Sequence, residues 1–296
     1  MSSDPFADLG KTLARFAAEL GDLFRKNEMP AAGSPADRES DGEPYAGAWG
    51  AGPSREVFAT VAMSSASCAD HLTVASHVLS ERSGLHSVYT LSRGALEAAA
   101  KACYLTEPGI DPLERIRRHM NLALLALRED ARMHRRIPGA EAAAKVARHD
   151  AREDVIGSVG QSFGLTFTKA KRDNQAHLGE KPRGAMTMIE QCAPGAPALR
   201  SAYQLLSSVA HSQWNGHSLL LARTRAEACG RVSLQLNAAL RDMAIHLFAA
   251  PLCGAVLAER LRWYLGWDCD DLNAFTVMML DNWGRIAGIP RPVRLT

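Results

Sequence analysis

Apolar residues recur at intervals of three and four along almost the whole chain, which is the period of an amphipathic helix. Over residues 5–27 the series Phe6, Leu9, Leu13, Phe16, Leu20 and Leu23 forms a narrow stripe. Such a stripe predicts a helix that docks against a facing helix. Residues 29–53 interrupt the period with Pro, Gly, Ala and Ser and read as a flexible linker. The expected organisation is a tethered N-terminal arm helix (1–28), a linker (29–53) and a helical bundle domain (54–296).

Beyond the linker the helical period resumes. A helix from Ser54 to about residue 83 is ended by Gly84, and an Ala-rich helix over 86–107 is stopped at Glu107-Pro108-Gly109. Asp111-Pro112 supplies an N-cap and a first-turn proline for a helix to about residue 136. Pro138-Gly139 breaks it before a polar helix over 140–160. Residues 161–183 lose the period and read as a loop. A short helix over 184–192, one over 198–222, one over 225–266 bent at Pro251, and a last over 268–289 complete the series. The fold class is therefore all-α, a bundle of roughly seven or eight helices, with negligible strand content.

Composition narrows the function classes. The 296 residues are 47% apolar and 22% charged, the mix of a folded globular protein. A net charge of +2 offers no field to capture nucleic acid or an anionic lipid surface. The longest apolar run, 243–258, contains His246 and Pro251 and is shorter than the roughly 20 residues of a membrane span. It reads as a buried helix. Cysteines at 68, 103, 192, 229, 253 and 269 include no C-x-x-C pair, so structural zinc is not expected and the thiols read as small hydrophobes. No leader is read in Met1-Ser-Ser-Asp-Pro, and the expected location is a reducing cytoplasm. Arginines outnumber lysines 27 to 7, the bias of a high-GC bacterial genome.

Two helices carry a second, polar face. Tyr203, Ser207, His211 and Trp214 follow at steps of four, four and three, within an arc of about 80°, while Leu205, Leu206 and Val209 form the core stripe. On the 86–107 helix, Arg93, Glu97, Lys101 and Tyr104 lie near one face. Two such faces satisfy each other most easily by meeting. The candidate ligand-binding set is therefore Arg93, Glu97, Tyr104, Tyr203, Ser207, His211 and Trp214, with His211 as a candidate acid/base. The alternative is a satisfied polar layer between helices. The arginines of 115–136 are spread around their helix among acidic residues and read as a solvated surface. No H-E-x-x-H, phosphate-binding loop, nucleophile elbow or dinucleotide fingerprint occurs. Neither metal nor cofactor is expected.

The pattern Arg93-x-x-x-Glu97 with Tyr104, followed by Tyr203-x-x-x-Ser207-x-x-x-His211, resembles a loose class of uncharacterised, all-helical bacterial proteins, some distantly grouped with HEPN-type bundles. The likeness covers residues 86–222. That superfamily includes phage-defence and toxin ribonucleases bearing Arg-x(4–6)-His, and Arg241-Asp-Met-Ala-Ile-His246 fits that pattern. The resemblance implies His246 as acid/base for attack by a ribose 2′-hydroxyl and Arg241 as stabiliser of phosphorane charge. With 27 Arg and 10 His in 296 residues, about 0.9 matches arise by chance per spacing and about 2.7 over three spacings. Three are found: Arg241/His246, Arg172/His177 and Arg128/His134.

The leading expectation is a non-catalytic binding or interaction module. A metal-independent HEPN-type ribonuclease and a small-molecule enzyme using His211 are the alternatives. A 25-residue linker spans about 25–30 Å, so the arm could reach its own bundle or a second subunit. The length of the tether favours the second subunit, and the expected assembly is a homodimer formed through the Phe6–Leu23 stripe.

Overall fold

The computed structural model describes residues 4–41, 52–169, 175–196, 198–213, 221–226, 232–236 and 240–288. Helix α1 (Pro5–Lys26) begins where the Asp4 carboxylate accepts from the Phe6 N–H, with Pro5 in the first turn. Its stripe of Leu9, Leu13, Phe16, Leu20 and Leu23 is buried, chiefly against α3 (Pro53–Glu81). The approach is close: a Cβ on Gly10 would fall 2.7 Å from the Ser76 carbonyl. This corrects the tethered-arm reading, because the apolar face is covered within the chain.

The segment read as a flexible linker is also folded over its described part. Ser34 caps a short helix, α2 (Pro35–Ser40). The Ala31 N–H donates to the Leu265 carbonyl at 2.8 Å, and the Trp267 indole N–H to the Met29 carbonyl at 2.9 Å. Pro, Ala and Ser here supply caps and close packing rather than freedom. Residues 42–51 of the expected linker lie outside the described residues.

Helix α3 turns back into α4 (Leu85–Leu105) through Arg82 and Gly84, both left-handed. Asp111 caps α5 (Pro112–His134) through the Glu114 N–H, as its sequence predicts. Gly139, at φ 124°, links α5 to α6 (Ala140–Ser162). The expected loop after α6 contains a small antiparallel pair, β1 (Phe167–Thr168) with β2 (His177–Leu178). Gly157 and Gly160 make room for it, since Cβ atoms there would meet Phe167 at 2.5 Å and Leu178 at 2.3 Å.

Helices α7 (Ala185–Cys192) and α8 (Ala198–Ala210) follow. The predicted continuation of helix to residue 222, and its resumption at 225, are both overturned: β3 (Leu221–Ala226) pairs antiparallel with β4 (Val232–Leu236). The alternation in Val232-Ser-Leu-Gln-Leu236 is a strand period, and Leu, Ala and Arg on either side masked it. The chain then runs through α9 (Leu240–Leu247), α10 (Ala249–Leu265) and α11 (Asp270–Ala287). The expected bend at Pro251 appears as a break at Phe248, because proline has no N–H for the carbonyl four residues back and its ring crowds that carbonyl.

Helix α10 is the centre of the bundle. Residues 249–258 are buried in an unbroken run, and α4, α3, α7, α8 and α11 surround it. The stretch Leu240–Leu265 is long and apolar enough to cross a membrane by length and composition, and 61% of its most apolar window is buried inside the fold. The all-α bundle read from the sequence is the observed architecture, with two small hairpins added.

Candidate functional site

Helix α4 places Tyr89, Arg93 and Glu97 one turn apart along one edge. Helix α8 sets Tyr203 and Ser207 beside it, and His211 follows at the end of that helix. The Tyr203 hydroxyl donates to Glu97 Oε1 at 2.8 Å, and Arg93 Nε donates to the same oxygen at 2.9 Å. On its far side the guanidinium reaches His211, with Nη1 2.9 Å from Nε2, and it also lies over the Tyr203 ring at 5.8 Å. Arginine remains charged, so His211 meets it as a neutral ring accepting through Nε2. The polar faces of the two helices therefore meet as their spacing predicts.

Burial and charge act on this edge together. Partial burial works against the Arg93 charge, but the Glu97 carboxylate and the Tyr203 hydroxyl hold its pKa above the usual arginine value. Burial raises the Tyr203 phenol, and its bond to Glu97 raises it further. Ser207 is half-buried on the same face. Trp214 lies outside the described residues. Tyr104 does not join the set: it is buried two turns further along α4, under the guanidinium of Arg118 at 4.4 Å and near that of Arg183 at 5.7 Å.

The second histidine meets the same edge of α4. Tyr89, one turn before Arg93, has its hydroxyl 3.2 Å from His246 Nδ1. Burial lowers the His246 pKa, opposed by the nearby Asp242 charge, so the ring is neutral at pH 7. Arg241 is exposed on the same helix. His246 lies five helical steps further on, which sets the two side chains about 140° apart around α9. Within one chain they do not converge.

Of the arginines read as a solvated surface, Arg132, Arg135 and Arg136 are exposed, but three others are instead the most deeply buried charges among the described residues. Arg115 is 1% exposed, Arg117 8% and Arg118 4%. Arg115 pairs with Glu39 at 3.1 Å, stacks on Tyr264 at 4.6 Å and donates to the Leu105 carbonyl. Arg118 binds Glu107, Glu114 and the Tyr104 carbonyl, and Arg117 binds Glu114 and the carbonyls of Leu178 and Glu180. Two of these guanidiniums thus cap the carbonyl end of α4, where the helix dipole favours cations. Sequence reasoning missed this because a helical wheel counts faces and does not show that another helix ends against this one.

His119 is buried with Nδ1 3.2 Å from the Thr60 hydroxyl and Nε2 3.4 Å from Glu56, which satisfies it within the core. Cys68, Cys103, Cys192, Cys253 and Cys269 are buried and free. Burial pushes the Cys68 thiol up to about 12, far from the thiolate that reactivity requires. Asp130, His134 and His149 converge across α5 and α6, a grouping that no spacing motif announces. A groove of about 430 Å³ lies between α2, the α4–α5 turn and α10. Its walls include Arg38, Glu39, Asp111 and Trp263 and take no residue from the α4/α8 edge. Comparison with protein-family models, with curated proteins and with solved structures finds no match for this chain.

Proposed function

We propose that this protein is a non-catalytic helical binding module, with the α4/α8 edge as its contact site for an anionic group such as a carboxylate or phosphate. The observation that carries the reading is the Arg93 guanidinium held between Glu97 and His211, at 2.9 Å from each. Glu97 and Tyr203 hold the guanidinium in place. The exposed His211 ring is its weaker, replaceable partner. An anion arriving there would exchange a neutral acceptor for a charged one, and charge-assisted bonds to guanidinium are the stronger kind.

The same geometry argues against catalysis by His211. An acid/base imidazole is usually oriented by an acceptor on its second nitrogen, whereas here a guanidinium occupies Nε2 and stands between the ring and Glu97. Buried, free thiols support a reducing, cytoplasmic setting for the module.

The test is a titration of inorganic phosphate and acetate followed by NMR of the His211 ring and Arg93 Nε–H. Saturable shifts confined to this edge, abolished in Arg93→Gln with the fold intact, are the expected result. Uniform or absent shifts would overturn the assignment.

A further inference from the structure

Asp130 and His134 stand one turn apart near the end of α5, and His149 is brought to them by α6 after the tight turn at Gly139. The carboxylate bridges two imidazoles: Asp130 Oδ1 is 3.3 Å from His134 Nδ1, and Oδ2 is 2.6 Å from His149 Nε2. The donor atoms of all three residues lie within 4.8 Å of one another, and the two rings are 6.0 Å apart. His134 Nδ1 also lies 2.9 Å from the Asp130 carbonyl, which fixes the ring against its own helix. Both histidine side chains are largely covered, at 17% and 20% exposure, while Asp130 opens to solvent at 40%.

We propose that Asp130, His134 and His149 form a binding site for a divalent transition-metal ion of the zinc type, with water completing its coordination. Two imidazoles and one carboxylate are the ligand set of zinc and its neighbours; magnesium and calcium prefer all-oxygen shells. Ligands at 2.0–2.2 Å in a tetrahedral site stand about 3.3 Å apart. The Asp130–His134 edge already has that length; on binding, His134 Nδ1 would give up its contact to the Asp130 carbonyl, and the remaining adjustment is about 1–1.5 Å of side-chain movement. The nearby cation Arg135 is paired with Asp150 at 3.2 Å. Because two ligands come from α5 and one from α6, the ion would pin that helical hairpin.

Isothermal titration of the chelator-treated full chain with Zn²⁺, with Co²⁺ as a spectroscopic probe, tests the site. The expected result is one equivalent bound, visible d–d absorption with Co²⁺, and no heat from Mg²⁺ or Ca²⁺. Asp130→Ala and His149→Ala should each lower affinity at least tenfold while the circular dichroism spectrum is unchanged. No stoichiometric binding, or binding that survives both substitutions, overturns the proposal. Should either variant fold poorly, imidazole ¹⁵N shifts of the native protein decide: zinc must move His134 and His149, and a response confined to other histidines is a refutation.

Discussion

Removal of residues 1–28 should unfold this protein rather than divide a dimer. Leu9, Leu13, Phe16, Leu20 and Leu23 are each 0–6% exposed, and each such burial is worth about 1.5–3 kcal/mol. Five of them amount to about 7.5–15 kcal/mol as an upper estimate, against a total stability of about 5–15 kcal/mol for an ordinary domain. Deletion therefore removes an amount comparable to the whole. Phe16→Ala is the finer probe. Its ring lies against Gly254 of α10, where an added Cβ would come 2.9 Å from Cε1, so that neighbour has no side chain to fill the void and the cost should be about 3–5 kcal/mol. Urea unfolding followed by far-ultraviolet circular dichroism measures both. Phe16→Ala should lower the midpoint at unchanged slope, and the truncated chain should lose most of its cooperative transition. A truncated protein with native helical signal and an unchanged midpoint, whose mass falls from dimer to monomer in light scattering, would refute the reasoning and restore the arm.

Arg115→Ala should cost about 3–5 kcal/mol in the same urea assay, because it leaves the Glu39 carboxylate without its cationic partner, with the Tyr264 hydroxyl as its remaining donor; a loss below about 1 kcal/mol would contradict the buried network. Burial opposes ionisation of Glu114, but its bonds to Arg117 and Arg118 hold its pKa below the ordinary value of 4.5. A lowered folded pKa contributes stability that is present above pH 4.5 and is lost as pH falls through the folded value. The acid limb of the urea midpoint against pH should accordingly flatten in Glu114→Gln, and an unaltered limb would speak against that linkage. Metal-free cleavage of single-stranded RNA should be absent, given the divergence of Arg241 and His246 within the chain and the low net charge of +2. Cleavage that disappears in His246→Ala would reinstate the ribonuclease alternative.

The local physics was legible in the residues themselves. Asp4-Pro5 and Asp111-Pro112 start helices because the short Asp carboxylate caps the first turn and the proline is preset for it. The meeting of Arg93 and Glu97 with Tyr203 and His211 followed from two polar faces of matching length, and His246 joined the same edge unannounced. The β3/β4 hairpin was hidden because its strands carry residues that suit a helix equally well, and only pairing partners decide between the two.

Tertiary structure decided the rest. The stripe on α1 requires a partner but does not name it, and the fold supplies α3 of the same chain. Arg115, Arg117 and Arg118 look solvated on a wheel, yet the carbonyl end of α4 and the carboxylates of Glu39, Glu107 and Glu114 enclose them. Asp130 and His134 are four residues apart, whereas His149 joins them only after a reversal of direction at Gly139. Periodicity and capping act within one or two turns, so the sequence alone determines helices and their faces. Which faces touch depends on how every helix competes for the same core, and that is settled only when the whole chain packs.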